Sequence, residues 1–106
     1  MPRPPSIGGV EISGCSLDQA GVRDQRARYA RVAASVTSLV REEEALLVEF
    51  GPDLDRATLE EALAVERECC PFFRLAFDQS QRRLRVAVEG REHLPALDAI
   101  AHSLCA

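Results

Sequence analysis

The sequence predicts an α+β fold: an antiparallel sheet with helices on one face, in the order β-α-β-β-α-β-β-α. Three observations carry this. Pairs of β-rich runs, each joined by a short polar turn, read as hairpins. Stretches with apolar residues at i, i+3, i+4 and i+7 read as helices. Proline and glycine punctuate the boundaries. At 106 residues the chain has the size of one domain, expected over 7–106 after a flexible arm at 1–6 that holds three prolines.

The elements follow in order. Ile7 to Ser13 alternates Val10, Glu11, Ile12 and suits a short strand, and Gly14-Cys15-Ser16 turns the chain. Ser16 is the expected N-cap of a helix from Leu17 to about Ala33, with Asp18 in its first turn facing the positive end of the helix dipole. Gly21 weakens this helix, and its apolar face is poorly marked. The runs VTSLV and ALLVEF around Arg41 to Glu44 form the first hairpin, closed by Gly51-Pro52. Asp55 caps a second helix, about Arg56 to Cys69, whose stripe Leu59, Ala62, Leu63, Glu66, Cys69, Cys70 is the clearest in the chain. Pro71 stops that helix and pushes Cys70 toward extended backbone. Phe72 to Phe77 and Leu84 to Val88 make the second hairpin around Asp78 to Gln81. Pro95 stands near the start of a last helix with Leu94, Leu97, Ile100, Ala101 and Leu104 on one side.

Composition narrows the function classes. A net charge of −4 supplies no basic stripe for nucleic acid. No apolar run reaches the roughly 18 residues of a membrane span, and no secretory signal is recognisable at the N-terminus. The expected compartment is therefore the cytoplasm, where four cysteines read as thiols, metal ligands or redox groups rather than a disulfide framework.

The cysteines carry the distinctive chemistry. The first six elements match a ferredoxin-like split unit with one strand and one helix appended. In that threading the first strand lies beside the strand that follows the second helix. The turn holding Cys15 and the junction holding Cys69 and Cys70 then fall at the same sheet edge. Glu66 sits three and four residues before the cysteine pair and points the same way. Arg67 and Arg74 flank the site and would lower a thiol pKa, whereas the negative end of the helix dipole opposes thiolate formation. That opposition favours metal binding, in which the ion itself deprotonates its ligands, over an activated nucleophile. Zinc in a structural site normally shows paired CxxC or Cys/His spacing, absent here. Soft ions that accept thiolates fit better: copper(I), mercury(II) or trivalent arsenic. The expected ligands are Cys15, Cys69 and Cys70, with Glu66 as a weak fourth ligand or a proton acceptor.

Each feature has a plainer reading. Cysteine is often a small buried hydrophobe, although two neighbouring residues on a regular element cannot occupy equivalent inward positions. Glu66 reads more simply as a side chain snorkelling to water. Cys105 is an incidental part of the last helix, His93 and His102 are surface or capping residues, and Tyr29 has no recognisable partner. Phe72, Phe73 and Phe77 are core or sheet residues, and Glu42 to Glu44 a solvated turn. No catalytic motif is recognisable, so a binding protein is expected rather than an enzyme. Two alternatives stay open: a thiol redox switch pairing Cys15 with Cys69 or Cys70, and a regulatory module with structural cysteines, dimerising through an exposed sheet or helix surface.

The stretch Glu66-Arg-Glu-Cys-Cys-Pro-Phe-Phe73, with Cys15-Ser-Leu17 upstream, resembles a group of small bacterial proteins that combine an early CSL with ExxCCPF and a following hairpin. The resemblance spans most of the chain, and some members stand close to metal-responsive regulators of the MerR type. It implies that Cys15, Glu66, Cys69 and Cys70 are the functional positions.

Overall fold

The computed structural model describes residues 18–105. The chain runs α1 (Gln19–Ala33), β1 (Val36–Arg41), β2 (Ala45–Phe50), α2 (Arg56–Cys69), β3 (Phe73–Asp78), β4 (Arg83–Val88) and α3 (Leu94–Leu104), with a 3₁₀ turn at Arg91–His93. This is the predicted α+β class and, from the first helix onward, the predicted order. The arm at 1–6, the strand expected at 7–13 and Cys15 lie outside the described residues.

Helices α1 and α2 begin where an aspartate can cap them. Asp55 Oδ1 accepts the Thr58 N–H at 3.1 Å at the start of α2, as the sequence predicts. At α1 the cap is Asp18, whose Oδ1 accepts the Gly21 N–H at 2.7 Å. The expected start at Leu17 thus moves inward, because Asp18 reaches the third N–H of the helix and serves as the cap itself.

The four strands form an antiparallel sheet in the order β1-β2-β4-β3. A ferredoxin-like unit would place the N-terminal strand between residues 45–50 and 73–78. That position belongs to β4, where Val86 pairs with Leu46 on one side and Leu75 on the other. A four-residue turn already ties β4 to β3, so closing this pairing costs less chain entropy than bringing in a distant segment. Asp78 Oδ1 holds the turn by accepting from the N–H and hydroxyl of Ser80 and from the Gln81 N–H. Arg82 then takes a positive φ of 52° and its Nε donates to the Phe50 carbonyl of β2.

Side-chain alternation gives the sheet one covered face. Leu46, Val48 and Phe50 of β2 and Leu84, Val86 and Val88 of β4 are buried. The helices form the second layer: α2 lies against β3, α3 against β1, β2 and β4, and α1 packs on α2 and α3. The opposite face carries the exposed Val40 and, beyond it, Leu47, Ala76, Arg83 and Arg85 around a shallow open groove of about 560 Å³. That groove is on the far side of the sheet from the cysteines. Among the described residues no helix is long and apolar enough to cross a membrane.

Two outcomes follow. Gly90 links β4 to the 3₁₀ turn at φ 90°, ψ 139°, a conformation that side-chain-bearing residues rarely adopt, and an added Cβ would also meet the Glu92 carboxylate. Gly90→Ala should destabilise the fold by about 1–3 kcal/mol in urea unfolding. Adding Glu92→Ala should not restore the loss, because the backbone strain remains. The second concerns Asp55, whose carboxyl is held below its ordinary value of 3.8, chiefly by the Thr58 backbone N–H. A lowered folded-state pKa means its contribution is present above the unfolded value and disappears as pH falls through the folded one. The melting-temperature gap between wild type and Asp55→Ala should therefore be open at neutral pH and close in strong acid.

Candidate metal centre

The site is built at the C-terminal end of α2. Leu59, Ala62, Leu63, Glu66 and Cys69 make its buried stripe, the face that the periodicity predicts. Pro71 has no N–H and crowds the preceding residue, so Cys70 leaves the helix at φ −132°, ψ 76° while its N–H still reaches the Glu66 carbonyl at 2.8 Å. The Phe73 N–H bonds the Cys70 carbonyl at 3.1 Å, closing a tight turn with proline at its favoured second position. This change of backbone turns both cysteines inward: Cys69 is 7% exposed and Cys70 0%. The rule against neighbouring inward residues holds within a regular element, and here the element ends between them. Cys69 remains helical and its Sγ donates to the Val65 carbonyl at 2.8 Å.

Glu66 does not snorkel. It is 3% exposed, and its Oε2 accepts the Tyr29 hydroxyl at 2.5 Å and Gln25 Nε2 at 3.1 Å. Gln25 Nε2 also donates to the Ala62 carbonyl at 2.8 Å, and Arg28 Nη1 holds Gln25 Oε1 at 3.0 Å. The carboxylate is thus clamped from α1 by neutral donors, with a guanidinium one step behind. Tyr29, for which the sequence shows no partner, is the residue that closes the site from this side. Gln25, Tyr29, Val32 and Ala33 are the buried residues of α1. Their spacing of four, three and one is helical, and two polar members on an inward face are the signal that could have pointed to a buried polar partner.

One oxygen of Glu66 and the sulfurs of Cys69 and Cys70 all lie within 4.8 Å of one another. Two soft donors and one hard donor in a buried pocket can hold a thiophilic ion or exchange protons among themselves. The expected arginine assistance is not built. Arg67 is exposed on α2, and Arg74 is exposed and paired with Glu89. The thiols face the negative end of α2 instead.

Phe72, the third residue of the turn, stacks flat on His93, with ring centroids 3.9 Å apart and planes 3° from parallel. His93 occupies the N-cap position of α3 without a side-chain capping bond, and its Nδ1 is buried with no hydrogen-bond partner among the described residues. His102 is exposed, as expected, and Cys105 ends α3 in an exposed position.

Burial pushes the Tyr29 phenol well above its ordinary value of 10.0, reinforced by the charge and hydrogen bond of Glu66 and by the charge of Cys70. The chain contains one tyrosine and no tryptophan, so the long-wavelength phenolate band, where thiolates do not absorb, reads this group alone. Native protein should resist phenolate formation at pH 10, and denatured protein should ionise near it. Because the folded-state pKa is raised, stability holds below the unfolded value and falls as pH climbs past it. Tyr29→Phe should cost about 1–3 kcal/mol at neutral pH, measured by urea unfolding.

Comparison of the chain with protein-family models, curated protein sequences and solved structures finds no match.

Proposed function

We propose that the protein binds a soft, thiophilic metal or metalloid ion through the thiolates of Cys69 and Cys70, with Glu66 as a third donor or as the acceptor of a displaced proton. One observation carries the reading: three buried ligand atoms, two of them sulfur, gathered within 4.8 Å. Mercury(II), trivalent arsenic and copper(I) are the ions such a donor set suits. The expected third sulfur, Cys15, rests on the ferredoxin-like threading, whose central strand position is held by β4, so the proposal stands on Cys69, Cys70 and Glu66 alone. The resemblance read from the CCPF stretch, to small bacterial proteins near MerR-type regulators, would imply the same chemistry, and a reducing compartment such as the cytoplasm would keep the thiols available.

A catalytic thiol is the weaker alternative. Nucleophilic cysteines are activated by a helix N-terminus or an adjacent cation, whereas Cys69 and Cys70 sit at a helix C-terminus and Arg74 is engaged by Glu89. A structural zinc site is also disfavoured, since zinc in such sites takes four nitrogen or sulfur ligands and this group offers a carboxylate and two sulfurs.

Titration of the fully reduced chain with mercury(II), arsenite or copper(I) should produce sulfur-to-metal charge-transfer absorbance that saturates at one equivalent for at least one of them. The double substitution Cys69→Ser with Cys70→Ser should abolish that saturation. Stoichiometric binding that survives the double substitution refutes the assignment.

A further inference from the structure

Burial and the arrangement of donors distinguish among the thiophilic ions. Glu66, Cys69 and Cys70 are 3%, 7% and 0% exposed, and both cysteines belong to the same core as Leu59, Leu63, Phe72 and Phe73. An ion entering such a place must shed its water, and a bare charge pays heavily for that. The groups that hold Glu66 are Tyr29 and Gln25, both neutral, so neither offsets its charge and a second negative charge beside it would be costly. Copper(I) held by two thiolates would leave an added negative charge beside the Glu66 carboxylate. Mercury(II) would balance, but only by driving a divalent cation inward and two protons outward through the core.

A trivalent hydroxo-metalloid avoids both difficulties. Arsenous and antimonous acids are uncharged at neutral pH and carry three hydroxyl groups on a pyramidal centre. Two of those hydroxyls leave as water, each taking a thiol proton. Two metalloid–oxygen bonds break, two metalloid–sulfur bonds form, and no oxidation state changes. The buried charge is the same before and after. The third hydroxyl stays on the metalloid and needs an acceptor. Glu66 supplies one: Tyr29 and Gln25 both bond Oε2, leaving Oε1 clear of those two donors, and a carboxylate oxygen stands within 4.8 Å of both sulfurs. Two sulfurs and one oxygen within 4.8 Å of one another match the two bonds and the one retained hydroxyl of such a centre. A linear dithiolate would leave the carboxylate without a role.

We infer that the pocket selects a neutral, trivalent hydroxo-metalloid of the arsenite or antimonite type, bound by Cys69 and Cys70, with Glu66 accepting a hydrogen bond from the retained hydroxyl. This rests on the reading of the two cysteines as ligands.

The test uses the whole chain, reduced with a phosphine so that no small thiol competes, in weakly buffered solution with a pH indicator. Arsenite should bind at one equivalent, consume two thiols and release no protons. Glu66→Gln should weaken arsenite by about tenfold, the value of one hydrogen bond to a charged acceptor. Phenylarsine oxide, which keeps no hydroxyl after taking two thiols, should bind wild type and Glu66→Gln alike, showing that the variant is folded and its thiols competent. Binding of mercury(II) or copper(I) without arsenite overturns the selection and leaves the metal-binding function standing. Arsenite affinity unchanged in Glu66→Gln overturns the role of the carboxylate. Failure of every probe overturns the function itself.

Discussion

The burial of Glu66 sets the terms for the packing of the two helices around it. A carboxylate removed from water between α1 and α2 is tolerable only if its oxygens find donors, and a buried charge left unpaired costs several kcal/mol. Tyr29 and Gln25 provide two such bonds from the neighbouring helix, each worth about 1.5–3 kcal/mol when the acceptor is ionised. Because these bonds are directional, they fix the register of α1 against α2 in a way that apolar contact alone does not. The same constraint orients the carboxylate toward the cysteine turn, so fold specificity and site geometry arise from one interaction.

Pro71 adds the second constraint. A helix continuing past Cys69 would carry Cys70 around the cylinder, away from its neighbour. By ending the helix between the two sulfurs, proline places both in the core while leaving Cys69 bonded to Val65. The pair is therefore sheltered, and access to it depends on what can cross an apolar shell rather than on what can be attracted from a distance.

Much of this was legible from local pattern. The stripe of α2, the stop at Pro71, both hairpins and the Asp55 cap depend on residues within a few positions of one another. The unread parts are long-range. Tyr29 and Glu66 are 37 residues apart, and nothing in either neighbourhood names the other. The central place of β4 depends on which strands close first, not on the composition of any strand. From sequence, Glu66 reads most simply as reaching water, because a carboxylate at the edge of an apolar stripe usually does. What reverses that is a tyrosine on another helix. The inward placement of both cysteines required the backbone change at Pro71 to be followed through to its effect on side-chain direction.

The flat contact of Phe72 on His93 bears on how the molecule responds to strain at the cysteines. Phe72 belongs to the turn that starts with Cys70, and His93 stands at the threshold of α3, which spans three of the strands. A parallel ring stack resists tilting more than sliding. A small rotation of the turn would thus be carried into the entry of the last helix, giving a sheltered pocket a mechanical connection to an element that does not line it.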